Sequence, residues 1–246
     1  MKLIVVYEEP LKGKERLFPR DIRNYIASIT KGDEVHNEIM GHHRKQPTFI
    51  FSMPNRKSFC IYTFKSDENT HKMMKSIVKR VMENREIKLA GVNLMVKKAY
   101  TSPYEFSLLR SGLFERRLRS PMIIASQEFE YAICRKFSNG GVDKKALERF
   151  TREKIKETVV LMARDWFGEE RAEVVSEIME DTMIMFKELE YTPIKYKENE
   201  YYPAVRGTII CDVELPHFIG YKSGLGYGEL STLKEMDRRK KPRGGK

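Results

Sequence analysis

The order of hydrophobic patterns over the first hundred residues constrains the fold more than any other feature of this chain. Residues 3–7 are a short β-favouring run closed by Pro10. Pro19 then opens a segment in which Ile22, Tyr25, Ile26 and Ile29 recur at i, i+3, i+4 and i+7, the single apolar stripe of a helix. Residues 48–52 and 58–64 are rich in aromatic and β-branched side chains, and the link between them contains Pro54 and Asn55, a hairpin signal. Asp67 is placed to cap a second helix, with Met73, Met74, Ile77, Val78 and Val81 inward and Lys72, Lys75, Lys79 and Arg80 largely outward. Gly91 precedes a last strand at 92–96. The order β-α-β-β-α-β is the split βαβ pattern of ferredoxin-like domains, four antiparallel strands under two helices.

The second half reads as a looser copy. Thr101, Ser102 and Pro103 mark the break. A strand is expected at 120–125. Asp143 can cap a long helix at 144–167, with Leu147, Phe150, Ile155, Val159, Met162, Ala163 and Trp166 on its apolar face and Gly168 ending it. Trp166 at this spacing reads as core. A polar, helix-favouring bridge leads to a strand at 182–186. Residues 190–202 interleave Tyr191, Tyr196, Tyr201 and Tyr202 with Lys195 and Lys197. Tyrosines can stack on bases, but the alternation also suits an ordinary exposed hairpin, the reading favoured here. Residues 204–211 form a good strand. Gly220, Gly224, Gly226 and Gly228 then fall within nine residues, and the alternation over 225–230 predicts a final strand. The slot for a second helix, 212–218, is too short. The expected architecture is α+β: two tandem ferredoxin-like (βαββαβ) domains at 1–101 and 102–237, the second irregular with a C-terminal glycine-rich loop, and a basic disordered tail at 238–246.

Charge narrows the partners. The chain has 246 residues and a net charge of +11, which points to a polyanion such as nucleic acid. Six of those positive charges lie in the tail, so the folded part carries +5. Cys60, Cys134 and Cys211 are odd in number and widely spaced, which argues for a reducing compartment and against a disulfide framework or a structural zinc. No signal peptide and no run of about 18 apolar residues is present, so a cytoplasmic protein without a membrane span is expected.

Three stretches carry candidate chemistry. The glycine-rich loop, with Lys222 and Ser223 among its glycines, can form an anion site from successive backbone N–H groups or serve as a structural turn. It matches neither phosphate-binding glycine fingerprint. Residues 33–46 hold His36, His42, His43 and Lys45. General acid–base chemistry, phosphate contact, and a merely solvated basic loop all fit this stretch; metal binding fits poorly, because no acid or cysteine stands at a useful spacing. Arg110, Arg116, Arg117 and Arg119 form either a phosphate-contact strip or a solvated face.

Taken in order, these residues resemble the CRISPR RNA-processing endoribonucleases of the RAMP superfamily. Gly220, Gly226 and Gly228 reproduce the family's Gly-x-Gly with a glycine six residues earlier. Lys195, Tyr196 and Lys197, followed by Ala204, Arg206 and Gly207, are similar to the family's strand before that loop. Thr48, Phe49, Ile50, Phe51 and Ser52 resemble its "F-T-F-S" strand, and Ser120, Pro121, Met122, Ile123 and Ile124 its "S-P-I-x-V" strand. The resemblance implies cleavage of precursor CRISPR RNA within its repeats, with no metal or cofactor and with the ribose 2′-hydroxyl as nucleophile. It places the acid–base histidine at His42 or His43 and the assisting cation at Lys45. The tyrosine some members carry at the end of the first helix falls on Thr30; Tyr25, a turn earlier, is the remaining tyrosine candidate and also reads as core. Phe218 replaces the first glycine of the longer signature. RNA contacts are expected from Gly220, Lys222, Ser223, Gly224, Gly226, Gly228, Arg116, Arg117, Arg119, Lys75 and Lys79. The implied partners are CRISPR repeat RNA and other CRISPR effector subunits, with monomer and homodimer both open. The alternative is a non-cleaving RAMP-type subunit that holds RNA.

Overall fold

In the computed structural model, residues 1–12, 17–41, 47–65, 67–89, 91–126, 128–135, 137, 143–197 and 200–231 are described. The tail and the segment 42–46, with His42, His43 and Lys45, lie outside them. The chain divides into two units: Met1–Phe106 with Ser223–Gly226, and Ser107–Lys222 with Tyr227–Lys246. Among the described residues, no helix is long and apolar enough to cross a membrane.

The first unit runs β1 (Lys2–Tyr7), α1 (Pro19–Ile29), α2 (Glu34–Met40), β2 (Ile50–Phe51), β3 (Ser58–Tyr62), α3 (Glu68–Glu83), β4 (Glu86–Leu89) and β5 (Val92–Ser102). Its sheet has the order β2-β3-β1-β5-β4 with antiparallel pairing throughout. Setting β4 aside, this is the ferredoxin-like arrangement the sequence implied, with β1 between the third and last strands of the pattern. Alternation along β1 sends Leu3, Val5 and Tyr7 into the core, where they meet Ile22 and Ile26 of α1 and Met74 and Ile77 of α3. Each such fully buried aliphatic side chain stabilises the unit by roughly 1.5–3 kcal/mol. Two elements depart from expectation. The polar stretch after Gly32 contains a helix, α2, whose buried residues are Val35 and Ile39. The strand β4 adds a fifth rung and buries Ile87 alone.

Asp67 caps α3 as its side chain predicts: one carboxylate oxygen accepts from Thr70 N–H at 2.8 Å and the other from the Thr70 hydroxyl. These bonds, the backbone one foremost, hold its pKa below the ordinary aspartate value. Asp67→Ala is expected to cost about 1 kcal/mol in a denaturant melt at neutral pH. Because the folded pKa is depressed, the cap's contribution is full above the unfolded aspartate value of about 3.9 and is lost as pH falls through the folded one. The difference between wild type and variant should therefore close on acidification.

The second unit runs β6 (Phe114–Arg117), β7 (Met122–Ile123), α4 (Glu128–Arg135), α5 (Lys144–Phe167), α6 (Glu169–Glu180), β8 (Ile184–Tyr191), β9 (Ile194–Lys197), β10 (Glu200–Tyr202) and β11 (Ala204–Cys211). Asp143 accepts from the N–H groups of Lys145 and Ala146 at the start of α5, and Gly168 ends it at φ 93°. The bridge beyond is the helix α6, with Ala172, Val175 and Met179 buried. Strand β11 is central, with β8 on one side and β6 and β7 on the other. Among the described residues the β9–β10 hairpin pairs only with itself, an excursion between two strands that are direct neighbours. Trp166 is core.

Candidate nucleic-acid interface

The glycine-rich stretch is a closed return of the chain, not a loop running into a strand. Ile219 N–H donates to the Gly228 carbonyl at 3.0 Å and Leu230 N–H to the His217 carbonyl at 2.8 Å, with a bridge between Phe218 and Glu229. The final strand expected at 225–230 is absent; a turn of 3₁₀ helix, Ser223–Leu225, and isolated bridges stand in its place. The backbone dictates this. Gly226 and Gly228 have φ of +82° and +72°, left-handed values that break a strand ladder. At Gly228 a Cβ would overlap the carbonyl oxygen of Ile219, which the return requires in that place.

The second unit fixes the base of this return. Gly220 N–H donates to the Thr158 hydroxyl of α5 at 3.1 Å, and the Tyr221 hydroxyl donates to Glu157 of the same helix at 2.5 Å. Burial, followed by the Glu157 carboxylate, pushes the Tyr221 pKa well up, so the hydroxyl stays a donor. Gly228 N–H donates to Pro121 and Tyr221 N–H to Ile123, both on the strand side. The tip belongs to the first unit. There Gly226 abuts Pro19, and a Cβ on it would stand 2.8 Å from the Phe51 carbonyl oxygen; a Cβ on Gly224 would stand 2.6 Å from the Pro47 ring. Pro47 is the first described residue after His42, His43 and Lys45.

These contacts correct one expectation. The N–H groups of Gly220, Gly226 and Gly228 are all engaged within the protein, Gly226 on the Ser223 carbonyl at 2.7 Å, and the Ser223 side chain is fully buried. These three glycines spend their amides on the shape of the loop. Lys222 is the residue this shape presents. It is exposed, and at φ 59° it is one of two non-glycine residues in the left-handed region among those described. Its ammonium lies 5.9 Å from the centre of the Tyr202 ring.

The arginines separate. Arg117 is exposed on β6 and Arg119 is one-quarter exposed. Arg116, expected on RNA, is only 6% exposed. Its guanidinium donates to the carbonyls of Ser231 and Leu215, both at 2.7 Å, and meets His217 Nδ1 at 3.1 Å, so it is spent inside the second unit. Lys75 and Lys79 are exposed on α3 of the first unit, Lys79 3.8 Å from Glu83. Tyr25 is 5% exposed, with its hydroxyl donating to the Asn84 carbonyl and its pKa pushed up to about 12 by burial, which places it in the core. Thr30 is buried and its hydroxyl donates to the Ile26 carbonyl.

No family model matches the sequence, and no curated protein matches it. Solved structures do. A crystal structure of Cas6b superimposes with a TM-score of 0.65 at 15% identity, covering 95% of this chain and 100% of the other. A RAMP protein binding different RNA substrates gives 0.59 at 14%, covering 94% and 98%. A CRISPR RNA processing endoribonuclease, also named Cas6b, gives 0.57 at 16%, covering 94% and 98%. The fold is the Cas6 fold. Coverage this near complete means that the Cas6 fold accounts for both units and not one alone.

Within this Cas6 fold, His217 and Glu229 are the residues the sequence did not flag. Both are buried at the base of the glycine-rich return, Nε2 of His217 3.3 Å from Oε1 of Glu229, and the same carboxylate oxygen takes Arg119 Nη1 at 2.8 Å. The one available signal was symmetry: they stand on opposite flanks of the glycines, where a closed return brings them together.

Proposed function

We propose that this chain is a metal-independent endoribonuclease that cuts precursor CRISPR RNA within its repeats. The observation that carries the proposal is the seat of the loop tip: Gly224 lies against Pro47, immediately after the segment of His42, His43 and Lys45. Lys222, a candidate phosphate contact, directly precedes that tip in the chain, as the acid–base candidates directly precede Pro47. The likeness to RNA-processing and RNA-binding structures supports the same reading.

In the proposed reaction His42 or His43 takes the proton of the ribose 2′-hydroxyl. The 2′-oxygen attacks the adjacent phosphorus, the bond to the 5′-oxygen breaks, and the resulting imidazolium returns its proton to that leaving oxygen, directly or through water. The products are a 2′,3′-cyclic phosphate and a 5′-hydroxyl. Lys45 offsets the negative charge that builds on the phosphoryl oxygens. Lys222, Arg117 and Arg119, with Lys75 and Lys79, supply phosphate contacts, and specificity rests on unpaired bases or a stem-loop.

The test is incubation with the repeat RNA in EDTA, alongside matched RNAs carrying one 2′-deoxy residue each. One cut that survives EDTA and vanishes with a single deoxy substitution is expected. The burial of Thr30, where some relatives of this type carry tyrosine, favours a second reading, an RNA-holding subunit that does not cut. Tight binding without cleavage would establish that one instead.

A further inference from the structure

We propose that Arg116, His217 and Glu229 are positioning residues that set the glycine-rich loop in its RNA-contacting shape, and that they act together as a proton-sensitive clamp. This role rests on the reading of that loop as an RNA contact. The geometry is specific to the loop. Leu215 and Ser231 lie just outside the two ends of the return, and the one guanidinium of Arg116 binds both of their carbonyls. Only a planar fork can do this from a single strand position; an ammonium is a point donor without fixed directions.

The third arm of the fork orients the histidine. A guanidinium only donates, so Nδ1 of His217 accepts from Arg116 Nη2. The proton of the neutral ring is then on Nε2, 3.3 Å from Glu229 Oε1. Glu229 is fully buried on the returning limb, and its own N–H donates to the Ser120 hydroxyl at 2.9 Å. The ionisable groups facing His217 are Arg116 on β6, Arg119 just beyond it and Glu229 across the return. The clamp thus holds two fixed positive charges, one negative charge and a neutral ring.

Protonation undoes this arrangement. The new proton sits on Nδ1, where Arg116 already presents an N–H, so an acceptor becomes a second donor. A third positive charge joins two arginines that share one carboxylate. Burial foremost, together with the two arginines, lowers the His217 pKa against the pull of Glu229. The sign follows. Above the ordinary histidine value of about 6.5 the ring is neutral in closed and open loops alike. As pH falls below that value the open loop takes up the proton first, and the closed loop loses stability.

The test uses the full chain and its repeat RNA at fixed ionic strength. Wild-type affinity is expected to fall about fivefold between about pH 7.5 and about pH 5.5, across the ordinary histidine range. In His217→Asn, whose side-chain oxygen can accept from Arg116 but takes up no proton, the ratio of neutral to acid affinity is expected to approach one, whatever the neutral affinity itself. The other histidines titrate in both proteins, so the difference between the profiles isolates His217. Arg116→Lys is expected to weaken RNA binding about tenfold at neutral pH. It should also speed hydrogen exchange at the Ile219 and Leu230 amides while the β11 amides stay protected. A His217→Asn profile that parallels wild type, or unchanged exchange at Ile219 and Leu230 in Arg116→Lys, overturns the clamp. Wild-type protein that binds no RNA at any pH overturns the RNA reading of the loop and the role built on it, while faster exchange in Arg116→Lys would still show the fork closing the return.

Discussion

Alanine at both His42 and His43 is expected to lower the single-turnover cleavage rate by roughly 10²–10⁴, the share of a rate that a positioned general acid or base supplies. Repeat-RNA affinity is expected to stay within about twofold of wild type, because phosphate contacts dominate nucleic-acid affinity and neither histidine is needed for them. The two single variants then assign the work. If one neutral imidazole takes the 2′-hydroxyl proton, its alanine variant reproduces the double loss and the other keeps most of the rate. Unchanged cleavage in the double variant would sink the assignment and move the acid–base step elsewhere in the chain. Equal losses of rate and affinity would place the histidines in binding instead.

Gly228→Ala is expected to be the most damaging single-methyl change in the described part of the loop. Its φ of +72° strains any side chain, and the added Cβ falls on the Ile219 carbonyl oxygen, which is backbone and cannot rotate away. The bond from Ile219 N–H to the Gly228 carbonyl would go with it. A loss on the order of 2–4 kcal/mol from the second unit follows, the range of changes that break a constrained backbone site. RNA affinity should fall in parallel. Denaturant unfolding followed by circular dichroism checks the first point and filter binding the second. A wild-type midpoint with wild-type affinity would mean that the return is not needed in this form. Gly224→Ala, with no such φ and only the Pro47 ring in its way, should cost less.

The contrast between these two sites reflects what could be seen in the sequence. Helices α1, α3 and α5 were legible because each carries a long stripe and a boundary residue whose chemistry is local: Pro19 at a first turn, Asp67 and Asp143 as caps. Helix α2 was not, since two buried residues in a polar stretch make no periodic signal. The same holds for β4, which shows alternation around a single buried side chain. The final strand was misread for a different reason. Leu225, Tyr227 and Leu230 have strand spacing, but the glycines between them take left-handed φ, and periodicity carries no information about the sign of a dihedral.

The candidate site divides along the same line. That the loop needs its glycines was visible; the sequence left an anion site and a structural turn both open, because most of the atoms that Gly220 and Gly228 meet lie far along the chain. Arg116 looked like its neighbours Arg117 and Arg119. Its partners are carbonyls 99 and 115 residues away, and nothing near it in sequence announces them. Lys222 is exposed, which follows from its standing in a loop.

The discontinuity of the first unit bears on how the protein is made. Ser223–Gly226 belong to it, yet they leave the ribosome more than a hundred residues after Phe106. At elongation rates of about 5–20 residues per second, the nascent unit waits on the order of ten seconds for its last turn. Until then the surface formed by Pro19, Pro47 and Phe51 lacks the segment that covers it. A prematurely terminated chain never acquires that segment, so the nascent amino-terminal half emerges without the glycine-rich turn and its first unit stays incomplete.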